Sequence, residues 1–197
     1  MSDYYDYSIK TIFCGKSSIG KTMLGYRLTN EYLIFKKIPK DYKETVGFEF
    51  FTYIIKKNDI LIKFLIWDTC DNKIYREVVE NFYPKCELFI MFYDPLDRES
   101  FEKAKSYYNY FKVNYMKNNP IFALVRSKYD INFKSEENIN IVSEEEALEF
   151  SDENDMFFFH ISSFEKYETG IKELLSFISI KYLERLKSEE EKNEKAL

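Results

Sequence analysis

The residues best suited to chemistry are Gly15-Lys16-Ser17-Ser18-Ile19-Gly20-Lys21-Thr22, which match the pattern G-x-x-x-x-G-K-[ST]. Such a loop binds phosphate. Glycines let the backbone wrap close to the phosphate oxygens, and successive N–H groups at a helix start supply an anion-binding concavity. Lys21 would reach the outer phosphates, and the Thr22 hydroxyl would ligate Mg²⁺. Gly15, Ser17, Ser18, Ile19, Gly20, Lys21, Thr22 and Met23 are therefore the expected phosphate-binding stretch. The chain has only five glycines, so each is expected where a side chain has no room or the backbone must turn unusually. His160, the only histidine, is expected to pack or hydrogen-bond, not to catalyse.

A phosphate loop works only between a strand and a helix, and the surrounding pattern supplies both. Tyr7–Cys14 reads as a strand, and Thr22–Phe35 as a helix that can end early. Phe48–Lys56 and Ile60–Trp67 read as a hairpin across Lys57-Asn58-Asp59. Leu88–Tyr93 and Pro120–Arg126 are apolar strands, and Met156–Ile161 is the last one. Asp97 can cap a helix to about Asn114, and Ser143 with Glu146 forms a capping box for a helix to about Glu153. From about Thr169, Ile171, Leu174, Leu175, Ile178, Tyr182 and Leu186 fall on one helical stripe. The alternation implies an α/β fold, a six-stranded, mostly parallel sheet with one antiparallel edge and helices on both faces. The expected organisation is an N-terminal extension over 1–6, one domain over 7–186 and a charged tail over 187–197.

Composition limits the function. The chain has 197 residues, 45% hydrophobic and 32% charged, with a net charge of −5, which suits one globular domain and not a disordered chain. The acidity argues against a nucleic-acid binder, which normally carries a basic face. No apolar run approaches the roughly 20 residues that cross a bilayer. The N-terminus lacks a secretory signal pattern, and three cysteines without ligand spacing suit a reducing, cytoplasmic setting.

Downstream segments choose among phosphate-loop proteins. Ile66-Trp67-Asp68-Thr69-Cys70-Asp71-Asn72 resembles the WDTAGQ segment of Ras-superfamily small GTPases, most closely the Rab family. Thr45-Val46-Gly47-Phe48-Glu49-Phe50 resembles the Rab switch I sequence TIGVDF, and Tyr93-Asp94-Pro95-Leu96-Asp97-Arg98-Glu99-Ser100-Phe101 resembles YDVTDQESF. Ser127-Lys128-Tyr129-Asp130 stands where the family has NKxD, and Ser162-Ser163-Phe164 where it has SAK. The resemblance spans about residues 7–186 and implies a P-loop NTPase small G domain that binds GTP or GDP with Mg²⁺. It implies that Asp68 holds the metal through water and that Thr45 joins when a γ-phosphate is present. Asp130 would read the guanine edge, Lys128 would cover the base, and Ser163 N–H would meet the guanine oxygen, with Ser127, Ser162 and Phe164 completing the loops. Phe50, Trp67 and Phe82 correspond to the aromatic trio that joins the two switches, or are plain core aromatics.

Departures from the family pattern cluster at the γ-phosphate and the base. The DxxG glycine, whose N–H binds the γ-phosphate, is Asp71; at ~5 Å and an effective dielectric of ~20, a like charge there costs roughly 3 kcal/mol before screening. The catalytic glutamine is Asn72, one methylene shorter, so slow hydrolysis is expected. Ser127 and Phe164 replace an asparagine and a lysine, so weaker base binding is expected, and Tyr32–Pro39 falls in a switch I longer than usual. The last cysteine is Cys86, so no prenylated C-terminus is expected, and any contact with endomembranes is expected to be indirect or to use a further C-terminal segment. The leading expectation is a Rab-like GTP/GDP switch in vesicle traffic that binds effector and regulator proteins through its switch regions. The alternative is a pseudo-GTPase scaffold held in one nucleotide state or empty; a P-loop kinase or ATPase would not explain the Rab-like segments.

Overall fold

The computed structural model describes residues 4–29, 44–129, 141–162 and 170–195. Six strands form one sheet in the order β2-β3-β1-β4-β5-β6. These are β1 (Tyr7–Cys14), β2 (Phe48–Lys57), β3 (Ile60–Thr69), β4 (Leu88–Tyr93), β5 (Ile121–Arg126) and β6 (Phe157–His160). All neighbours pair in parallel except β2 and β3, which pair antiparallel from Phe48↔Thr69 to Lys57↔Ile60. The expected mixed sheet and its single antiparallel edge are both present.

The hairpin turn is tighter than its sequence suggests. Lys57 and Ile60 are already paired, so only Asn58 and Asp59 turn, with φ of 48° and 67°. Two consecutive left-handed residues match the right-handed twist of the flanking strands, and Asn and Asp tolerate that conformation.

Because side chains alternate across a strand, each strand feeds two cores. On one face Ile9, Phe13, Phe64, Ile66, Ile90 and Val125 pack with helix α1 (Lys21–Leu28) and helix α5 (Ile171–Lys195). On the other, Ile12, Phe89, Met91 and Leu124 pack with α2 (Arg76–Glu80), α3 (Arg98–Tyr115) and α4 (Glu144–Glu153). The α5 stripe is buried as its spacing requires, with Leu174, Leu175 and Ile178 at 0% exposure.

Both expected N-caps form, while the Glu146 carboxylate of the expected capping box is taken up by Arg98. Asp97 accepts a hydrogen bond from Ser100 N at the start of α3, and Ser143 accepts one from Glu146 N at 3.1 Å to open α4. Helix α1 stops at Leu28, well short of Phe35; positions 30–43 fall outside the described residues. At the other end α5 continues through Lys195, so helix crosses the expected boundary at 187. The short α2 and the 3₁₀ turn Lys73–Tyr75 before it carry no clear sequence signal, being too brief for periodicity. Among the described residues no helix is long and apolar enough to cross a membrane.

Candidate nucleotide and metal site

The carboxyl ends of β1, β3, β4 and β5 converge on one edge of the sheet. The strand order reverses at β1, which lies between β3 and β4. Ligands of open α/β sheets bind outside such a switch point.

The loop after β1 has the geometry that its glycines permit. Gly15 takes φ +140°, and a Cβ there would stand 2.6 Å from Phe92 O. Gly20 precedes α1 with φ 99° and no side-chain cap, leaving the first-turn N–H groups without a competing side chain. Ser18 also takes a positive φ, 65°, at the exposed turn of the loop, while Ile19 is buried beneath it. Lys21 is buried and its ammonium donates to Gly15 O and Lys16 O, both at 3.0 Å, which fixes the cation across the mouth of the loop. Ser17 and Met23 are partly buried.

Three oxygen-bearing side chains meet beside Lys21. Thr22 donates to Asp68 Oδ2, and the Thr22 and Thr45 hydroxyls share a hydrogen bond of 2.8 Å. Asp68 is fully buried, and its Oδ1 has no hydrogen-bond partner among the described residues. Burial pushes its carboxyl up to about 6, outweighing the opposing Lys21 charge and Thr22 hydrogen bond. A buried carboxylate with one unsatisfied oxygen, flanked by two hydroxyls, is a hard-oxygen donor set that suits Mg²⁺. These residues come from α1, β3 and the segment before β2, elements far apart in sequence.

Asp71 and Asn72 follow β3, and both side chains are engaged. Asp71 Oδ1 accepts from Tyr107 Oη at 3.0 Å and lies 2.8 Å from the Lys103 ammonium. The Asp71 carboxylate is thus engaged by two donors from α3, one of them a cation. Asp71 also keeps φ negative, so lack of a glycine imposes no left-handed strain here. Asn72 Oδ1 accepts from Ile74 N at 3.0 Å and caps the 3₁₀ turn.

The base side is partly described. Ser127 donates from both its N–H and its hydroxyl to Tyr93 O at 2.8 Å, which ties the loop to the end of β4. Lys128, with φ 56°, pairs with Asp94 at 2.6 Å. Tyr129 N donates to Ile161 O, joining the loops after β5 and β6, and Ser162 is buried next to that junction. Asp130, Ser163, Phe164 and Tyr32–Pro39 lie outside the described residues.

Sequence reasoning missed several participants. Lys16 pairs with Asp97 at 2.8 Å and Glu99 at 2.6 Å, which anchors the phosphate loop to the start of α3. These acidic partners raise the Lys16 ammonium above its ordinary range. The acid pair Asp97-x-Glu99 was visible, but nothing local links it to a loop some 80 positions away. His160 contacts Glu144 at 3.2 Å and packs against Tyr129 with the rings tilted 38° and their centroids 4.6 Å apart. Phe50, Trp67 and Phe82 do meet, with centroids 4.9 and 5.8 Å apart, and Phe48 adds a ring 4.4 Å from Phe82. Phe50 is 49% exposed, so this cluster reaches the surface and is not plain core.

A phosphate loop at a sheet switch point, with a Thr-Thr-Asp oxygen cluster beside its lysine, defines a P-loop nucleotide-binding domain of the small G type. Comparison with protein families matches residues 10–182 to the Ras family. The chain belongs to that family, as a divergent, Rab-like member. It is 30% identical over 189 residues to the GTP-binding protein ypt3 of Schizosaccharomyces pombe, covering 92% of this chain and 83% of ypt3. It is 28% identical to the Ras-related protein RABA1h of Arabidopsis thaliana over 89% of this chain and 77% of that protein. Human Ras-related protein Rab-30 is 29% identical over 81% of this chain and 73% of its own length.

Proposed function

We propose that the chain is a Rab-like GTP/GDP switch with weak intrinsic hydrolysis, acting in membrane traffic and recruited to endomembranes through partner proteins. The observation that carries this reading is the meeting of Thr22, Thr45 and Asp68 beside the Lys21 ammonium. Magnesium there would offset charge on the outer phosphates; Thr22 and Thr45 would contribute oxygens and Asp68 would hold its water shell.

Switching follows from where Thr45 sits. It precedes β2, is tied to the site by one hydroxyl contact, and gains a stronger anchor when metal and γ-phosphate are both present. Ordering Thr45 would then reposition Val46, Phe48 and Phe50, whose exposed apolar surface suits an effector face. Guanine selection is assigned to Asp130, Lys128 and Ser163, with Ser127, Ser162 and Phe164 framing the base. Asn72 is the residue at the water-orienting position; its shorter amide, occupied in capping the 3₁₀ turn, supports slow turnover.

The test is to denature freshly purified protein and identify the released nucleotide by ion-exchange chromatography with stoichiometry. GTP near one per chain fits binding with slow turnover, and GDP near one per chain fits a working switch that hydrolyses or selects GDP. A protein that is empty and takes up no added GTP with Mg²⁺ overturns the reading in favour of a nucleotide-free scaffold.

A further inference from the structure

Within the switch that follows β3, we propose that Lys103 and Tyr107 on α3 determine how well the site accepts a third phosphate, by neutralising and holding the carboxylate of Asp71. The inference rests on the reading of the chain as a guanine-nucleotide switch.

Asp71 occupies the position where an uncharged glycine would leave its N–H free for the γ-phosphate. A carboxylate there adds a negative charge where GTP already brings one more than GDP. The structure gives that charge a counterpart. Lys103 Nζ lies 2.8 Å from Asp71 Oδ1, and Tyr107 Oη donates to the same oxygen at 3.0 Å. The Asp71 side chain is only 16% exposed and Lys103 36%, so solvent screens the pair less than an open surface pair. Lys103 and Tyr107 stand four residues apart, hence on one face of α3, and the ammonium lies 5.8 Å from the phenol ring centroid. The phenol therefore braces both members of the pair.

Two consequences follow. The pair carries no net charge, so the local field that opposes a γ-phosphate is close to that of a glycine-bearing site. The carboxylate is also held in place, because two donors on the 18-residue helix α3 engage one of its oxygens. Lys103 and Tyr107 are positioning residues, acting through Asp71. Neither belongs to the phosphate, metal or base contacts described above.

The test compares affinities for GDP and a non-hydrolysable GTP analogue, both with Mg²⁺, in the full chain. Lys103→Ala should lower the analogue-to-GDP affinity ratio about tenfold, the order of effect of one uncompensated charge near the added phosphate at an effective dielectric near 20. Tyr107→Phe should lower it about twofold to threefold, since one hydrogen bond is lost and the charge stays paired. Lys103→Arg should keep the ratio. The double variant Asp71→Asn with Lys103→Ala, again without net charge, should return to within about twofold of wild type. A merely structural role for Lys103 would not produce that rescue. An unchanged ratio in Lys103→Ala, or a double variant that stays low, overturns the proposal while leaving the switch reading intact. A wild-type protein that binds neither nucleotide overturns the switch reading itself. Should Lys103→Ala not fold, Lys103→Gln carries the same test.

Discussion

Asp68 is buried with one oxygen held by Thr22 and the other without a hydrogen-bond partner among the described residues, an arrangement that a cation would complete. Asp68→Asn keeps the volume and removes the charge. It is expected to weaken Mg²⁺ binding by about 10- to 100-fold, as loss of an outer-sphere carboxylate does, and to abolish the slowing of nucleotide release by Mg²⁺. A magnesium titration of nucleotide dissociation checks this. His160 sets a second dependence at the same scale. Burial lowers its affinity for a proton, assisted by Arg126 and opposed by Glu144. The unfolded chain therefore binds a proton there more readily than the folded one, and stability falls as pH drops through the ordinary histidine value of about 6.5. His160→Gln should flatten this loss in denaturant melts between pH 7.5 and 5.5. An equally steep loss in the variant would assign the pH dependence elsewhere.

At the scale of elements, α1 is fastened to the sheet through a glycine. A Cβ on Gly25 would stand 2.3 Å from the ring of Phe51, itself buried and in edge-to-face contact with Tyr26. Gly25→Ala gains up to about 1 kcal/mol of helix propensity but overpacks this contact, a cost of about 1–3 kcal/mol. Net destabilisation of about 1–2 kcal/mol is expected from urea unfolding, together with weaker nucleotide binding, because α1 carries Lys21 and Thr22. A neutral or stabilised variant would show that the ring moves aside freely. The hairpin gives the opposite sign. Asp59 holds φ 67° in a two-residue turn, and its ion pair with Lys56 is exposed, so Asp59→Gly should stabilise by a few tenths to 1 kcal/mol in the same assay.

For the whole molecule, the sites belong to several elements that only the folded sheet holds together, so a bound nucleotide should stabilise the entire domain. GDP with Mg²⁺ at a hundredfold excess over Kd is expected to raise the unfolding free energy by about 2.7 kcal/mol and the midpoint by several degrees, with ADP giving no shift. Thermal unfolding with each nucleotide checks both expectations, and an equal response to ADP would contradict assignment of the base loops to guanine.

The amino-acid sequence by itself determined much of this protein. The phosphate loop was legible because eight consecutive residues carry both the backbone freedom and the side chains that phosphate needs. The strands were legible because a sheet covered on both faces demands unbroken apolar runs such as Leu88–Tyr93, every residue of which is buried. Asp97 and Ser143 declared their helices because capping is local chemistry. The tertiary structure alone decided the pairings that span the chain. Asp71 read as a charge facing phosphate until α3, some 30 residues on, supplied Lys103 and Tyr107. Lys16 carried no assigned role in the loop pattern, and its pairing with Asp97 and Glu99 came only from the fold. Local patterns encode what a residue and its near neighbours can do, whereas the partner that a charge finds depends on which distant segments the sheet order brings to the same edge.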